Sequence, residues 1–209
     1  MPGIASLGIV TRLLLVRHGQ SEWNAAGRWQ GQADPPLSAL GREQAYRAAT
    51  ALTYGVEAVV TSDLRRAHDT ATIMAERLGL DPVSVDAQWR ERDVGEFTGL
   101  TRGEIEQRWP GILVPATPEI PGGEAPDALL RRACAAVDGV VAAHAGASVL
   151  VVSHGGLIRR LEHHLGGPVA PLPNLGGACL DVDESGMTMG PRLLFVDPDD
   201  VEVTVPQQL

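Results

Sequence analysis

The stretch Leu13-Leu14-Leu15-Val16-Arg17-His18-Gly19 decides the fold of this chain. Its apolar run is short and stops at a charged turn that contains glycine, which predicts a buried strand followed by a turn. A second stretch has the same form, because residues 148–152 are apolar and Ser153-His154-Gly155-Gly156 follows them. Ligands of open α/β sheets bind at the carboxyl ends of strands. We therefore expect both histidines at one edge of a sheet, beside a binding site.

The pattern around these two stretches alternates between strands and helices. Residues 58–61 and 83–85 favour strands, and residues 178–182 and 192–196 favour edge strands. The amphipathic or apolar stretches that predict helices are residues 38–52, 64–78, 101–109, 128–144 and 157–165. This alternation predicts an α/β fold, a three-layer α/β/α sandwich with a mostly parallel central sheet. With 209 residues, we expect one domain over residues 1–209.

The composition excludes some classes of function. A net charge of −9 argues against nucleic acid as a partner, because such proteins need a basic face. All 17 basic residues are arginine, and a few of them could still form a local pocket for a small anion. No apolar run has the length of a membrane span, and we see no secretory signal. Cys134 and Cys179 lie far apart without a CxxC motif, which is typical of a cytoplasmic protein.

Charged side chains follow each predicted parallel strand. Arg17 adjoins His18, an arginine pair at residues 65–66 follows the strand at 58–61, and Glu91 lies in a charged cluster after the strand at 83–85. A helix that begins after such a turn adds backbone N–H groups and a partial positive charge. A nucleophile, cations and an acid for the leaving oxygen are what phosphoryl transfer requires. The sequence therefore predicts a site for a small phosphorylated anion.

The motifs at these strand ends resemble the histidine phosphatase superfamily, also called phosphoglycerate-mutase-like. The resemblance begins in Leu15-Val16-Arg17-His18-Gly19-Gln20-Ser21-Glu22-Trp23-Asn24 and continues at 37–45 and in Ser62-Asp63-Leu64-Arg65-Arg66-Ala67. It extends through residues 91–99 and Gly122-Gly123-Glu124, and it closes with Val152-Ser153-His154-Gly155-Gly156. The motifs occur in order over about three quarters of the chain, which makes the match far more specific than a single Arg-His-Gly.

The resemblance implies a role for each catalytic residue. His18 would be the nucleophile that becomes phosphorylated, while Arg17, Arg65 and His154 would hold the phosphoryl oxygens. Glu91 would protonate the leaving oxygen and then take a proton from the attacking water. Neighbouring cations agree with this assignment, because they keep an imidazole neutral and hence nucleophilic. Only one arginine of the pair at 65–66 can point inward from a helix start, and the family pattern selects Arg65.

The resemblance also implies the substrate-binding residues and the absence of a cofactor. Asn24, Gln30 and Gly31 match positions on the substrate side. We add Ser21, from the motif that contains His18, and Gly155, from the motif that contains His154. We expect no metal, because the histidines at 163 and 164 point about 100° apart on a helix and lack a carboxylate at ligand spacing. The expected partner is a small phosphorylated substrate, and a homodimer is left open.

The segment at residues 101–123 bears on the choice between related functions. We expect it to form a lid over the active site. Residues 110–123 contain no basic residue and a single charge, Glu119, which would repel a bisphosphate. This favours a phosphatase acting on a sugar phosphate or a phosphoglycerate-type ester over a mutase of the same family. A lid also disfavours a protein-phosphohistidine phosphatase, because proteins of that kind have little cover over the active site. A third alternative, a phospho-ligand binding protein without turnover, is disfavoured by the complete set of catalytic residue types.

Overall fold

The fold is built on a single mixed sheet. The computed structural model describes residues 9–52, 55–114, 118–168, 170–199 and 201–205. In these residues six strands pair in the order β3-β2-β4-β1-β5-β6. The strands are β1 (Thr11–Arg17), β2 (Ala58–Thr61), β3 (Ser84–Val85), β4 (Ser148–Ser153), β5 (Gly176–Asp183) and β6 (Gly186–Leu194). The first four strands in this order are parallel to one another. β5 pairs antiparallel with β1, and β6 pairs antiparallel with β5. The mostly parallel sheet is therefore confirmed.

The described residues form six α-helices: α1 (Glu22–Ala25), α2 (Ala39–Ala51), α3 (Arg65–Leu78), α4 (Arg102–Arg108), α5 (Pro126–Ala143) and α6 (Gly155–His164). Of these, α2 and α3 cover one face of the sheet, and α5 and α6 cover the other. Alternate residues of β1 point to opposite faces, as the pleat of a strand requires. Leu13 and Leu15 pack in the core on the side of α5 and α6, whereas Leu14 and Val16 pack in the core on the side of α2 and α3. The predicted α/β/α sandwich is therefore confirmed.

The register of β1 against β4 places the two histidine turns side by side. Val16 pairs with Val152 and Arg17 with Ser153, so both strands end at the same level of the sheet. The backbone N–H of His18 then donates to the Ser153 carbonyl over 3.0 Å. Two sequence-distant turns thus become neighbours at the carboxyl edge.

A third, smaller hydrophobic cluster lies beyond the two main cores. It contains Trp29, Phe97 and Ile105, and Leu113 and Ile120 pack with them. The Trp29 and Phe97 rings meet edge to face, with centroids 5.4 Å apart. This cluster ties α4 and the residues after it to the loop that follows β1.

The last two strands differ from the expectation in two respects, the position of β5 in the sheet and the bounds of β6. β5 is not an edge strand, because it lies between β1 and β6 and bonds to both. β6 ends at Leu194, and the backbone N–H of Phe195 instead donates to the Leu175 carbonyl over 2.9 Å. A tight turn folds β6 back onto β5, and Gly186 at its end has a φ of 123°. β6 therefore begins six residues before the predicted stretch of 192–196 and ends two residues before its end.

No helix within the described ranges is both long and apolar enough to cross a membrane.

Candidate active site

A cavity of about 240 Å³ opens at the carboxyl edge of the sheet. Its walls come from the turns after β1 and β4, the first turn of α3, the loop around Glu91 and one face of α6. The polar side chains among its lining residues are Arg17, His18, Gln30, Arg66, Glu91, Arg92, Arg159, Arg160 and His163. Arginine is therefore the most frequent charged residue in this cavity, although the chain as a whole is acidic.

The imidazole of His18 is buried and held in one tautomer. Its Nδ1 lies 2.6 Å from the carbonyl oxygen of Gly19, which can only accept, so Nδ1 carries the proton. The Nε–H of Arg66 donates to the other nitrogen, Nε2, over 3.3 Å. Burial, reinforced by the charges of Arg66 and Arg17, holds the pKa of His18 well below its ordinary value. His18 is thus uncharged and keeps a lone pair on Nε2.

The backbone around His18 is fixed from three sides. Asn174 Nδ2 donates to the His18 carbonyl over 2.8 Å, and the Gly19 N–H donates to Thr70 Oγ1 over 3.1 Å. The bond from the His18 N–H to Ser153 completes the set. This anchoring keeps Nε2 in place relative to the rest of the cavity.

Two buried arginines flank this nitrogen. Arg66 donates from its two terminal nitrogens to the carbonyls of Gly31 (2.8 Å) and Ala33 (2.7 Å), and Arg17 donates to the Leu172 carbonyl. Burial, the largest cause in each case, lowers the pKa of both guanidinium groups to about 10. Both arginines therefore remain charged at neutral pH and provide two fixed cations beside the neutral imidazole.

The structure corrects the choice between Arg65 and Arg66. Arg66 is fully buried and lines the cavity, whereas Arg65 is exposed and does not. The reason is the helical period: α3 buries Ala67, Thr70 and Met74 against the sheet, and Arg66 lies on that face. Selecting Arg65 was therefore wrong, and this helix face was the signal in the sequence that identifies Arg66.

His154 lies next to His18 and is fully buried. The two ring centroids are 5.2 Å apart, with the rings inclined at 62°. Neither ring nitrogen of His154 has a hydrogen-bond partner among the described residues. Burial is the main cause that holds its pKa well below the ordinary value, and the charge of Arg66 acts in the same direction. The ring is not among the side chains that line the cavity, but it lies against His18, and an unpaired polar ring at this depth costs free energy that a hydrogen bond to a ligand would offset.

Glu91 lines the same cavity, beside the first turn of α6. Its two carboxylate oxygens accept from the backbone N–H groups of Arg92 (2.8 Å) and Gly156 (3.0 Å). A Cβ at Gly156 would displace this carboxylate, so glycine leaves room for Glu91 in its observed position. Arg132 supports the loop behind Glu91 by donating to the Arg90 carbonyl over 2.8 Å.

The predicted substrate-binding residues divide into two groups. Gln30, Gly31 and Gly155 line the cavity, whereas Ser21 and Asn24 do not. Ser21 caps α1 and donates from Oγ to Gln30 Oε1 over 2.7 Å, and Asn24 Oδ1 accepts from the Ser21 N–H. Ser21 and Asn24 bond within the loop that carries Gln30 and are not among the lining residues, so their part in substrate binding stays a prediction.

Sequence reasoning missed several cavity residues. Arg92, Arg159 and Arg160 add three cations, and Ile120 and Leu129 add apolar surface. The spacing of Gly155, Arg159 and His163 at intervals of four on α6 was a usable signal, since such residues share one helix face. Arg92 and Ile120 come from loops, and nothing in the local pattern indicates their direction.

The described part of the chain contains no group of three or more His, Cys, Asp and Glu side chains that could hold a metal ion. The charge of the cavity comes from its arginines. A neutral imidazole beside fixed cations, with a carboxylate in the same cavity, is an arrangement suited to transferring a phosphoryl group.

Comparisons with known proteins agree with this geometry. The sequence pattern of the histidine phosphatase superfamily, branch 1, matches residues 13–181. A glucosyl-3-phosphoglycerate phosphatase of Mycolicibacterium vanbaalenii is 41% identical over 181 residues, 80% of each chain. A protein of Klebsiella pneumoniae named probable phosphoglycerate mutase is 41% identical over 150 residues, 69% of each chain. The structure of a mycobacterial glucosyl-3-phosphoglycerate phosphatase complexed with VO3 superposes with a TM-score of 0.77 at 34% identity, over 89% of this chain and 99% of that one. The chain belongs to the histidine phosphatase superfamily.

Proposed function

We propose that this protein is a cofactor-independent phosphatase that hydrolyses a small phosphate monoester, a sugar phosphate or a phosphoglycerate-type ester, through a phosphohistidine on His18. The observation that carries the proposal is the state of His18: it is uncharged, its Nδ1–H is committed to Gly19, and its Nε2 lone pair lies beside Arg66 in the cavity. A histidine held in this way is a nucleophile with no need for a separate base.

In the first step, Nε2 of His18 attacks phosphorus and the bond to the ester oxygen breaks. Arg17 and Arg66 bind the non-bridging oxygens and offset their charge in the transition state. His154 donates a hydrogen bond from its unpaired ring N–H. Glu91, entering this step in its protonated form, transfers that proton to the leaving oxygen, so the alcohol departs neutral.

In the second step, water attacks the phosphohistidine. Glu91, now a carboxylate, accepts a proton from this water as the P–N bond breaks, and the electron pair returns to Nε2. Inorganic phosphate leaves, and His18 is again neutral with its proton on Nδ1. The hydrogen bond to Gly19 supports both steps because it keeps Nε2 as the reacting nitrogen throughout.

We further propose that residues 101–123 cover the cavity as a lid. The described part of this segment packs on Trp29 and Phe97, and Ile120 reaches the cavity wall. Residues 115–117 of the predicted lid lie outside the described residues. The apolar surface from Trp29, Val94 and Ile120 would shield the reacting groups from bulk water and contact the organic part of the substrate.

The substrate class follows from the size of the cavity and the names of the relatives. A cavity of about 240 Å³ suits a small ester rather than a folded protein surface. The Mycolicibacterium relative is named for a glucosyl-3-phosphoglycerate, which contains both a sugar and a phosphoglycerate. Two statements stay predictions, the cytoplasmic location and the absence of nucleic acid among the partners. A homodimer stays possible in the same sense.

A mutase of the same family is the second candidate, because a protein named probable phosphoglycerate mutase is equally similar over a shorter length. A mutase must protect its phosphohistidine from water and hold a bisphosphate while it turns. Residues 110–123 contain no cation for that purpose. We therefore favour rapid hydrolysis over return of the phosphoryl group to a second hydroxyl.

The test of this function is a panel of phosphorylated metabolites assayed for release of inorganic phosphate, with His18→Ala as the inactive control. In the same assay 3-phosphoglycerate is supplied with and without 2,3-bisphosphoglycerate, and isomerisation is followed beside phosphate release. We expect phosphate release to exceed isomerisation. Isomerisation faster than phosphate release would identify a mutase, and the absence of turnover with the whole panel would favour a binding protein.

A further inference from the structure

One face of α6 forms a wall of the cavity. Gly155, Gly156, Arg159, Arg160 and His163 line the cavity from this helix. Gly155 is at the inner end, where an added Cβ would lie 3.2 Å from Arg17 Cζ. Arg159 is four residues further on, which is about 6 Å along the helix axis. Its side chain therefore begins about one turn beyond Gly155 on the same helix face, within the cavity wall.

Arg159 differs from the other arginines of this cavity in its partners. The other four donate hydrogen bonds to described protein groups: Arg17 to Leu172, Arg66 to Gly31 and Ala33, Arg92 to Pro118 and Glu124, and Arg160 to Pro126 and Asp127. Arg159 has no hydrogen bond or ion pair with any residue in the described ranges, and its Nε is buried without a partner. A buried donor left unsatisfied costs free energy unless a ligand supplies the acceptor.

The acidic groups near Arg159 are already engaged. Glu162 forms a buried ion pair with Arg192 at 2.8 Å, and Glu91 accepts from two backbone N–H groups. Both carboxylates act on Arg159 at a distance without forming an ion pair with it. The charge of Arg159 in turn lowers the pKa of Arg17, so the two cations share one region of space. The cavity thus holds a guanidinium that is attracted by carboxylates but forms no ion pair with any described residue.

We infer that Arg159 binds a second anionic group of the substrate, a carboxylate on the organic part of the ester, and so selects phosphorylated hydroxy acids over phosphorylated alcohols. The inference rests on the proposed function, since it takes the phosphoryl group to lie at His18. The fork of a guanidinium matches the two oxygens of a carboxylate. Its half-buried position in the cavity wall strengthens that attraction relative to an exposed pair.

The test compares 3-phosphoglycerate with glycerol 3-phosphate, using the wild-type enzyme and Arg159→Gln. The two substrates differ at one carbon, which is a carboxylate in the first and a hydroxymethyl group in the second, and both release a primary alkoxide oxygen. We expect the substitution to lower kcat/KM for 3-phosphoglycerate about tenfold or more, the worth of one charge-assisted hydrogen bond. We expect the value for glycerol 3-phosphate to change less than about twofold, because that substrate offers no partner for the lost charge.

The control variant is Arg131→Gln, which removes the same charge from the exposed surface of α5 and should leave the ratio of the two substrates unchanged. An equal loss on both substrates would overturn the inference, because it would mean that Arg159 acts through Glu91 or through the fold. No loss of kcat/KM on either substrate would overturn it as well. If the wild-type enzyme hydrolyses p-nitrophenyl phosphate but does not prefer 3-phosphoglycerate over glycerol 3-phosphate, this inference alone is overturned. Failure on all three esters overturns the proposed function and this inference with it.

Discussion

The carboxyl ends of β1 and β4 carry the same His-Gly turn, yet they hold their histidines differently. His18 is bonded at both ring nitrogens, by Gly19 at Nδ1 and by Arg66 at Nε2. His154, 5.2 Å away between ring centroids, is bonded at neither within the described structure. Both rings are buried, and both have a lowered pKa.

This difference separates two roles that one motif can serve. The Gly19 carbonyl fixes the tautomer of His18, and a fixed lone pair on Nε2 suits a nucleophile. His154 keeps both nitrogens free, which suits a hydrogen bond that forms only when the phosphoryl group arrives. The sharpest tests of the comparison are therefore substitutions that change one strand end and leave the other intact.

The largest effect is expected from His18→Ala. Removal of the nucleophile should lower kcat by about 10³-fold or more and abolish formation of an acid-labile, base-stable phosphoenzyme. Rapid quench with a ³²P-labelled substrate measures both quantities. Label that persists in His18→Ala would assign the nucleophile elsewhere.

Glu91→Gln tests the carboxylate that shares the cavity with His18. General acid–base catalysis contributes about 10²–10⁴-fold, so kcat for an alkyl phosphate should fall within that range. The loss should be much smaller for p-nitrophenyl phosphate, because its leaving group departs without a proton. Steady-state rates on the two esters provide the comparison, and equal losses would exclude Glu91 as the acid.

The arginine pair at the start of α3 tests what holds the β1 end. Arg66→Gln removes the cation beside Nε2 and should lower kcat/KM by about 10²-fold. Arg65→Gln is the matched control, one residue away and exposed, and should change kcat/KM less than about twofold. Circular dichroism checks that the Arg66 variant remains folded, since Arg66 also bonds to Gly31 and Ala33. A larger loss from the Arg65 variant would reverse the correction.

His154→Asn should have a more moderate effect than His18→Ala. It removes one donor to the phosphoryl oxygens and should lower kcat/KM about 10- to 100-fold, while the phosphoenzyme still forms. Quench experiments on this variant distinguish the two histidines directly. Complete loss of the label would show that His154 and His18 act as one unit.

The smallest effect is the pH dependence of stability. The folded protein keeps both imidazoles neutral, whereas the unfolded chain protonates them below about pH 6.5, so the unfolded state binds more protons there. The free energy of unfolding should fall as pH decreases through this range, by at most about 1.4 kcal/mol per pH unit for each histidine. Urea titrations at pH 7, 6 and 5 should show a smaller decline for His154→Asn than for wild type. Parallel curves would contradict the buried neutral state of His154.

Much of the site could be predicted from the chain alone, and the errors are informative. Arg17, His18 and His154 were placed correctly because each follows a short apolar run, and parallel strands end at a common edge. Arg65 was chosen wrongly because matching a motif ignored which face of α3 is buried. Ser21 and Asn24 form a capping box with each other, a local arrangement that the motif alone does not reveal. Local bonding of this kind is visible only once the loop geometry is known.

The sequence by itself determined the class of fold, the pair of histidine turns and the supply of arginines in place of a metal cluster. Those features depend on hydrophobic period and turn residues, which act between near neighbours in the chain. Only the tertiary structure decided the tautomer of His18, the bond from Arg66 to its Nε2 and the lack of a partner for Arg159 Nε among the described residues. Each of these depends on which distant carbonyl or carboxylate packing brings within hydrogen-bond reach, and no local pattern contains that information.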